Sequence, residues 1–370
     1  MLDQLTTQLA AARSLDAEQA RVAVGQLVDE YIPATTKAEF LTALARKGET
    51  AGEITEFARA LRDKSIAPPL DPETRAREIL DVCGTGGDRL GTFNISTTVA
   101  IVCAAAGVTV AKHGNRAITS QAGSADVLEA LGVRIDLPPS EAACSLREHG
   151  FAFFFAPNYH PAFKHIAPAR KLCAERGQRT IFNFLGPLLN PARPTAQLIG
   201  VPRPELCEPI ARVLQSLGVR RGMVVCGNVG QASRPSLSGT EKNSETGTTP
   251  VLRKNDASLD ELSTLGPNTV AEFYQEHGFN SSTLAPEQFP LQPATLADLL
   301  GGDRAANAEI ARGILHGDER GPKRDAVLLN AGAALFVAGR VRSLSAGWEM
   351  AAETIDGGQA QAKLRELAGR

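Results

Sequence analysis

The residues best suited to chemistry lie between Asp81 and Asp126. Gly84-Thr85-Gly86-Gly87-Asp88 is rich in glycine, which lets backbone N–H groups approach an anion closely. The Gly-Lys-Ser/Thr ending of a P-loop is absent, and the spacing is not that of a dinucleotide fingerprint. Read alone, the stretch is equally a tight turn. Asn94-Ile95-Ser96-Thr97-Thr98 precedes an apolar run, at a helix N-terminus whose unpaired N–H groups and partial positive charge suit a phosphate. Ser96 and Thr97 add hydroxyls, and such a hydroxyl can ligate magnesium beside a phosphate. Ordinary capping by Asn94 or Ser96 explains the same residues. Lys112-His113-Gly114-Asn115-Arg116 brings a point charge, a sharp turn and an amide that both donates and accepts. A solvated basic loop is the plainer alternative. Ser120 to Asp126 forms a further Gly-Ser turn opening a helix, with Ser124 as its cap. Convergence carries the inference: turns at successive strand ends make one polyanion pocket.

The elements that must position these residues follow from periodicity. The first ~65 residues are helical. Ala20, Val24, Leu27, Val28 and Tyr31 follow helical spacing. Thr36 with Glu39 reads as a capping box ending at Gly48, and Thr50 with Glu53 as a second, followed by the stripe Ile54, Phe57, Ala58, Leu61. Pro68, Pro69 and Pro72 mark a linker. Strands are expected at Ile79–Cys83, Val108–Ala111, Phe151–Phe155, Leu198–Val201 and Met223–Cys226. Helices are expected at Ser96–Ala106, His160–Arg176, Pro209–Leu217, Asp325–Ala338 and Ala346–Leu367. Strand, Gly-turn, helix, strand is an α/β order, and ligands in such sheets sit at the strands' carboxyl ends. Gly227 to Ser258 is polar and aperiodic, and reads as a long exposed loop.

Bulk properties narrow the classes. The chain has 370 residues, 43% hydrophobic and 22% charged, with 39 Lys plus Arg against 41 Asp plus Glu. That length suits two domains, and the balanced charge argues against a nucleic-acid partner. The 6 cysteines form no metal-type pair, so a reducing, cytoplasmic setting without disulfides is expected. Neither a signal peptide nor a membrane-spanning run is expected.

Asp81-Val-Cys-Gly-Thr-Gly-Gly-Asp88, Asn94-Ile-Ser-Thr97, Lys112-His-Gly-Asn-Arg116 and Gly123-Ser-Ala-Asp126, in this order and spacing, resemble the donor motifs of the anthranilate phosphoribosyltransferases. His160-Pro-Ala-Phe163, Arg170 and the run from Thr180 to Pro191 extend the resemblance, which covers the chain to its C-terminus. It implies an α/β fold: a small all-helical domain (1–70, with a later excursion near 158–190) and a large domain (71–370) with a central mixed, mostly parallel sheet. It implies transfer of phosphoribosyl from phosphoribosyl pyrophosphate to anthranilate, a Mg2+ cofactor and a homodimer. Gly84, Thr85, Gly86, Gly87, Asp88, Thr92, Asn94, Ile95, Ser96, Thr97, Lys112, His113, Gly114, Asn115, Arg116, Ala117, Ile118, Thr119, Ser120 and Ser124 would line the donor site. Asn115 and Arg170 would touch anthranilate, with Pro157 and His160 along its path. Ser96, Asp260 and Glu261 would hold magnesium, and Lys112, Asp88 and Arg170 would carry the chemistry. The physics of Arg170 agrees, since a guanidinium binds a carboxylate bidentately, and Asp260-Glu261 is a hard-ligand pair.

The chain departs from that family's pattern in the polar stretch before Asp260, in Cys226 where the family often has His, and in extra residues at Cys173 to Gly177. These bear on the second magnesium and on the acceptor pocket. A non-catalytic nucleic-acid-binding relative, a pyrimidine nucleoside phosphorylase and a phosphoribosyltransferase for another aromatic acid are the alternatives.

Overall fold

A computed structural model describes residues 1–117, 121–230, 257–274 and 278–369. Four helices open the chain: α1 (Leu2–Ala10), α2 (Ala17–Val28), α3 (Ala34–Lys47) and α4 (Ala51–Asp63). Thr50 caps α4 through the expected box with Glu53. The box expected at Thr36 does not form: α3 begins at Ala34 behind Pro33, which fixes the entry backbone, and Gly48 ends it at φ 86°. Tyr31 lies beyond α2 and is exposed. After the prolines comes a short α5 (Pro72–Ala76), capped by Asp71.

The sheet then begins. Its order is β3 (Phe151–Phe155), β2 (Thr109–Gly114), β1 (Ile79–Gly84), β4 (Ala196–Gly200), β5 (Arg221–Asn228), β7 (Asn268–Tyr274), β8 (Gly278–Leu284). From β3 to β5 all pairs are parallel, while β7, β8 and the short β6 (Ser258–Leu259) pair antiparallel. The chain reverses its build direction between β1 and β4, the switch point where such sheets bind ligands. The five parallel strands are the five expected ones, each within a few residues. The β7–β8 ribbon was not expected, because Ser281, Ser282 and Thr283 lack a strand's apolar alternation at this exposed edge.

Two large cores and a smaller third, formed by Ile79, Ala111, Ala152 and Phe154 with Leu146 and Tyr159, flank the sheet. On one side Leu80, Val82 and Val110 pack against α6 (Ile95–Ala105) and α13 (Pro322–Val337), both buried nearly all round. In chain order α7 is Ser124–Ala130, α8 Pro139–His149, α9 Ala156–Tyr159, α10 Ala167–Glu175, α11 Cys207–Ser216 and α12 Arg304–His316. On the other side Cys83, Ile199 and Val224 meet the four N-terminal helices, α10 and α11 in one apolar cluster. The helix expected over His160–Arg176 is broken into α9, a 3-10 turn (Pro161–His165) and α10, since Pro161 and Pro168 each remove a backbone donor. This segment packs on α3, where buried Lys37 donates to Asp29 O (2.6 Å) and His165 O (2.9 Å). The expected C-terminal helix is likewise two, α14 (Leu344–Asp356) and α15 (Gln359–Leu367), parted at Gly358 with φ 79°. Of the polar stretch 227–258, residues 231–256 lie outside the described residues.

Candidate active site

The site is built where β1, β4 and β5 end. A side chain at Gly200 would place its Cβ 1.6 Å from Asp260 O, and one at Gly84 would lie 2.4 Å from the Asp260 carboxylate. Glycine at these strand ends therefore lets the segment 258–263 lie directly across them. Two buried asparagines pin that segment. Asn330 on α13 accepts from Leu262 N–H and donates to Leu262 O, both at 2.9 Å. Asn268 does the same for Ser263, at 2.6 and 3.0 Å.

The acids so placed occupy positions that the sequence assigned to phosphate. Gly86 and Gly87 adopt φ of 75° and 95°, the left-handed turn their type permits. The Gly86 N–H donates to the Asp260 carboxylate at 2.6 Å, and the Ser96 N–H, at the start of α6, donates to Glu261 at 3.2 Å. Asp260 N–H in turn approaches Asp88 Oδ2 at 3.5 Å. Burial, then the charges of Asp88 and Glu261, hold the Asp260 carboxyl well above the carboxylate range. Burial lifts Glu261 to about 7. Such an acid cluster, in which burial outweighs the nearby charge of Lys112 at Glu261, fits a divalent cation. Magnesium takes one or two carboxylates and completes its shell with phosphate oxygens and water. Among the described residues no three His, Cys, Asp or Glu side chains converge tightly enough to hold an ion unaided.

Lys112 is buried beside them. Its Nζ donates to Val82 O (2.7 Å) and lies 3.5 Å from Ser96 Oγ, and burial lowers its pKa. Thr85 takes its place in the turn by donating its N–H to Gly200 O. Ile95 packs into the core and so offers only backbone to the site, and Thr97 is buried beside it in the first turn of α6. Asn94 is not a side-chain cap: its amide donates to Ala122 O and accepts from Asn307, tying α6 to α12. Thr92 bridges to Leu300. Gly123, not Ser124, precedes α7, and Ser124 Oγ instead donates to Asn115 O. Gly114 leaves room for that hydroxyl, 2.2 Å from where a Cβ would stand. Asn115 is exposed. Arg116 turns away to Asp126 (2.8 Å) and Glu129 (3.0 Å). The Asp126 carboxylate also accepts the Ala117 and Gly123 N–H groups, closing the turn. Ile118, Thr119 and Ser120 lie outside the described residues.

From His113, the neighbour of Lys112 on β2, an aromatic relay runs to Arg170. His113 and His160 meet edge-on at 5.3 Å, His160 stacks on Phe163 at 5.2 Å, and Phe163 meets Phe182 at 5.8 Å. The Arg170 guanidinium lies 5.5 Å from the Phe182 ring centre. Among the described residues no ion pair involves Arg170, and burial lowers its pKa. His113 Nδ1 faces Gly186 O at 3.2 Å, while the Nε2 atoms of both imidazoles are buried without a hydrogen bond among the described residues. Burial pushes His113 down to about 3 and His160 to about 4, so both are neutral at ordinary pH. Pro157 sits exposed in the first turn of α9.

The sequence reading assigned no separate part to Asp81, Asn190, Arg62 and Arg179. Asp81 had a visible signal, an acid within an apolar strand. Arg62 is buried and donates to Leu188 O at 2.5 Å. Arg179 reaches the glycine-rich turn at Gly87 O, 3.5 Å away. Neither had a signal in its spacing.

A helical bundle over a mostly parallel sheet, with acids and a buried amine at the strand ends, defines a two-domain glycosyl transferase. The family described as "Glycosyl transferase family, a/b domain" matches residues 76–255 and 242–361, and its helical bundle domain matches 3–65. The anthranilate phosphoribosyltransferase of Lacticaseibacillus casei is 43% identical over 99% of this chain and 96% of its own. The Thermus thermophilus enzyme's crystal structure superposes with TM-score 0.83, at 39% identity, over 99% of this chain and 98% of that one. The Saccharomyces cerevisiae enzyme, solved in complex with PRPP and Mg, superposes with TM-score 0.81 at 26% identity, over 100% of this chain and 97% of that one. The chain belongs to the anthranilate phosphoribosyltransferase family.

Proposed function

We propose that the protein transfers the 5-phosphoribosyl group of phosphoribosyl pyrophosphate to the amine of anthranilate, giving N-(5-phosphoribosyl)anthranilate and pyrophosphate, a step of tryptophan biosynthesis. The observation that supports this reading is a pair of unlike surfaces that meet on β2, where Lys112 serves one and its neighbour His113 the other. One wall has acids, backbone amides and Lys112. The other has neutral imidazoles, phenyl rings and Arg170.

In the reaction the ribose C1–O bond to pyrophosphate breaks and a C1–N bond to the aromatic amine forms, with loss of the amine proton. An aromatic amine is already a nucleophile, so positioning and charge neutralisation dominate. Lys112 faces the departing pyrophosphate, and the Gly84–Asp88 turn and the start of α6 hold the Asp260 and Glu261 carboxylates beside it through the Gly86 and Ser96 N–H groups. Arg170 takes the anthranilate carboxylate, Asn115 orients the ring's substituents, and His160 and Pro157 line the approach. The walls of neutral His113 and His160 keep water from competing for C1. Asp260 and Glu261, with Ser96, would hold magnesium, which would supply neutralising charge to pyrophosphate when bound. Residues 1–70 with 158–190 act as one body that carries the acceptor wall over the sheet. Exposed Met1 and Tyr31 on that body support pairing of two copies there. The six free thiols support a cytoplasmic setting.

The test is direct. Protein, anthranilate, phosphoribosyl pyrophosphate and Mg2+ are mixed, and anthranilate fluorescence is followed. Steady loss that needs protein, phosphoribosyl pyrophosphate and Mg2+ together is expected. No loss from folded protein overturns the reading.

A further inference from the structure

The seam between β1 and β2 is unlike its neighbours. β1 pairs with β4 from Leu80 to Gly84, and β2 pairs with β3 from Val110 to Gly114. Yet β1 and β2 pair with each other only at Ile79–Thr109 and Leu80–Val110. Both strands run on, side by side and unzipped. Buried backbone groups must find partners, and here side chains supply them.

Asp81 is fully buried at the point of parting. One carboxylate oxygen accepts the His113 N–H at 3.3 Å and the other accepts the Asn190 amide at 2.9 Å. Asn190, also fully buried, donates to Ala111 O at 2.7 Å and accepts from Ala192 N–H at 2.9 Å. From β2, Lys112 Nζ donates to Val82 O at 2.7 Å, across the same gap. The bonded residues alternate along β2: Ala111 and His113 are held by the Asp81–Asn190 pair, and Lys112 between them reaches toward Ser96. The carboxylate and the amide thus fix the height of β2 against β1. With that height they fix the amine on the donor wall and the imidazole on the acceptor wall.

We propose that Asp81 and Asn190 are positioning residues, a wedge that holds β1 and β2 apart so that Lys112 reaches the departing pyrophosphate. This rests on the role given to Lys112 above. Asp81→Asn preserves size but sets an amide N–H against one of two donors.

The test is a double-mutant cycle on the full enzyme, with kcat and the Kd for phosphoribosyl pyrophosphate measured for Asp81→Asn, Lys112→Ala and the pair. A displacement of the amine of order 1 Å lowers kcat about 10²-fold. In the Lys112→Ala background the same substitution should cost less than about 3-fold, because neighbours acting as a unit are not additive. A full and equal loss in both backgrounds overturns the wedge. Near-native kcat in Lys112→Ala alone overturns the reading of Lys112 instead, so the two failures are distinct. If Asp81→Asn does not fold, Asn190→Ala replaces it in the cycle. Failure of both to fold assigns the pair to core stability and overturns the proposal.

Discussion

The donor and acceptor walls of the site are built by opposite means. The donor wall stands on strand ends and one helix N-terminus, with Lys112 and Glu261 buried, Asp260 half-buried, and all three pinned by hydrogen bonds. The acceptor wall stands on broken pieces, α9, a 3-10 turn and α10, held together by ring contacts. A transferred group with several charges needs fixed dipoles, which only regular elements hold cheaply in place. A flat aromatic acid needs a shaped apolar surface and one charge, and short turns can supply both. The difference teaches that fixity lies where the leaving group's charge must be met.

If the donor wall carries the chemistry, removing its amine should do the most damage. Lys112→Ala is expected to lower kcat/KM for phosphoribosyl pyrophosphate by about 10³-fold, a loss of about 4 kcal/mol in transition-state stabilisation. Steady-state kinetics at saturating anthranilate measures it, and a loss under tenfold would erase the contrast between the walls. On the acceptor wall, Arg170→Ala should raise the anthranilate KM by about 10- to 100-fold, the worth of a charged hydrogen bond, while the phosphoribosyl-pyrophosphate KM stays put. Equal rises in both would show that the walls are not separate. Next comes the floor between them. Gly200→Ala drives a Cβ into the Asp260 backbone, so the acid segment must shift, at about 1–3 kcal/mol of stability. The Mg2+ concentration for half-maximal rate should rise about tenfold, on the order of the same energy. An unchanged Mg2+ response would place the cation elsewhere.

The smallest effect concerns protons on the acceptor wall. The folded pKa of His160 is lowered to about 4 from the usual 6.5. A lowered imidazole pKa means that the unfolded chain binds the proton first. Its stability contribution is therefore whole above pH 6.5 and drains as pH falls toward 4. His160→Phe should lack that drain. Its melting temperature, relative to the parent protein, should rise by a few degrees between pH 7.5 and pH 5, by roughly 1–2 kcal/mol. A difference flat with pH would mean the imidazole is solvated.

The walls also differ in how plainly the sequence spoke. Gly86, Lys112 and Ser96 belong to short runs whose local chemistry states their use, and the strands carrying them are apolar runs of the right length. The acceptor wall is legible only through the family resemblance, which singles out Asn115, Pro157, His160 and Arg170, because a histidine meeting a phenyl ring from a distant turn leaves no spacing to read. Thr36 misled because Pro33 starts α3 earlier, and His160–Arg176 misled because its prolines cut a helix-like pattern into three. Arg116 reads as a ligand in its motif, yet Asp126 and Glu129 claim it, and no local rule shows which partner wins. Asp81 was legible as an acid in a strand, but its partner Asn190 lies far along the chain.

The polar stretch ahead of the acid pair begins and ends at a closed neck. Gly227 pairs with Leu259, Asn228 with Ser258, and Val229 N–H donates to Ala257 O at 2.9 Å. Whatever lies between, its two ends are stapled before the chain reaches Asp260. Lengthening a stapled loop is inexpensive, about 0.6 kcal/mol for each doubling. The neck thus acts as an insulator: sequence can accumulate there over evolutionary time, in length and in character, without its drift reaching the carboxylates a residue away.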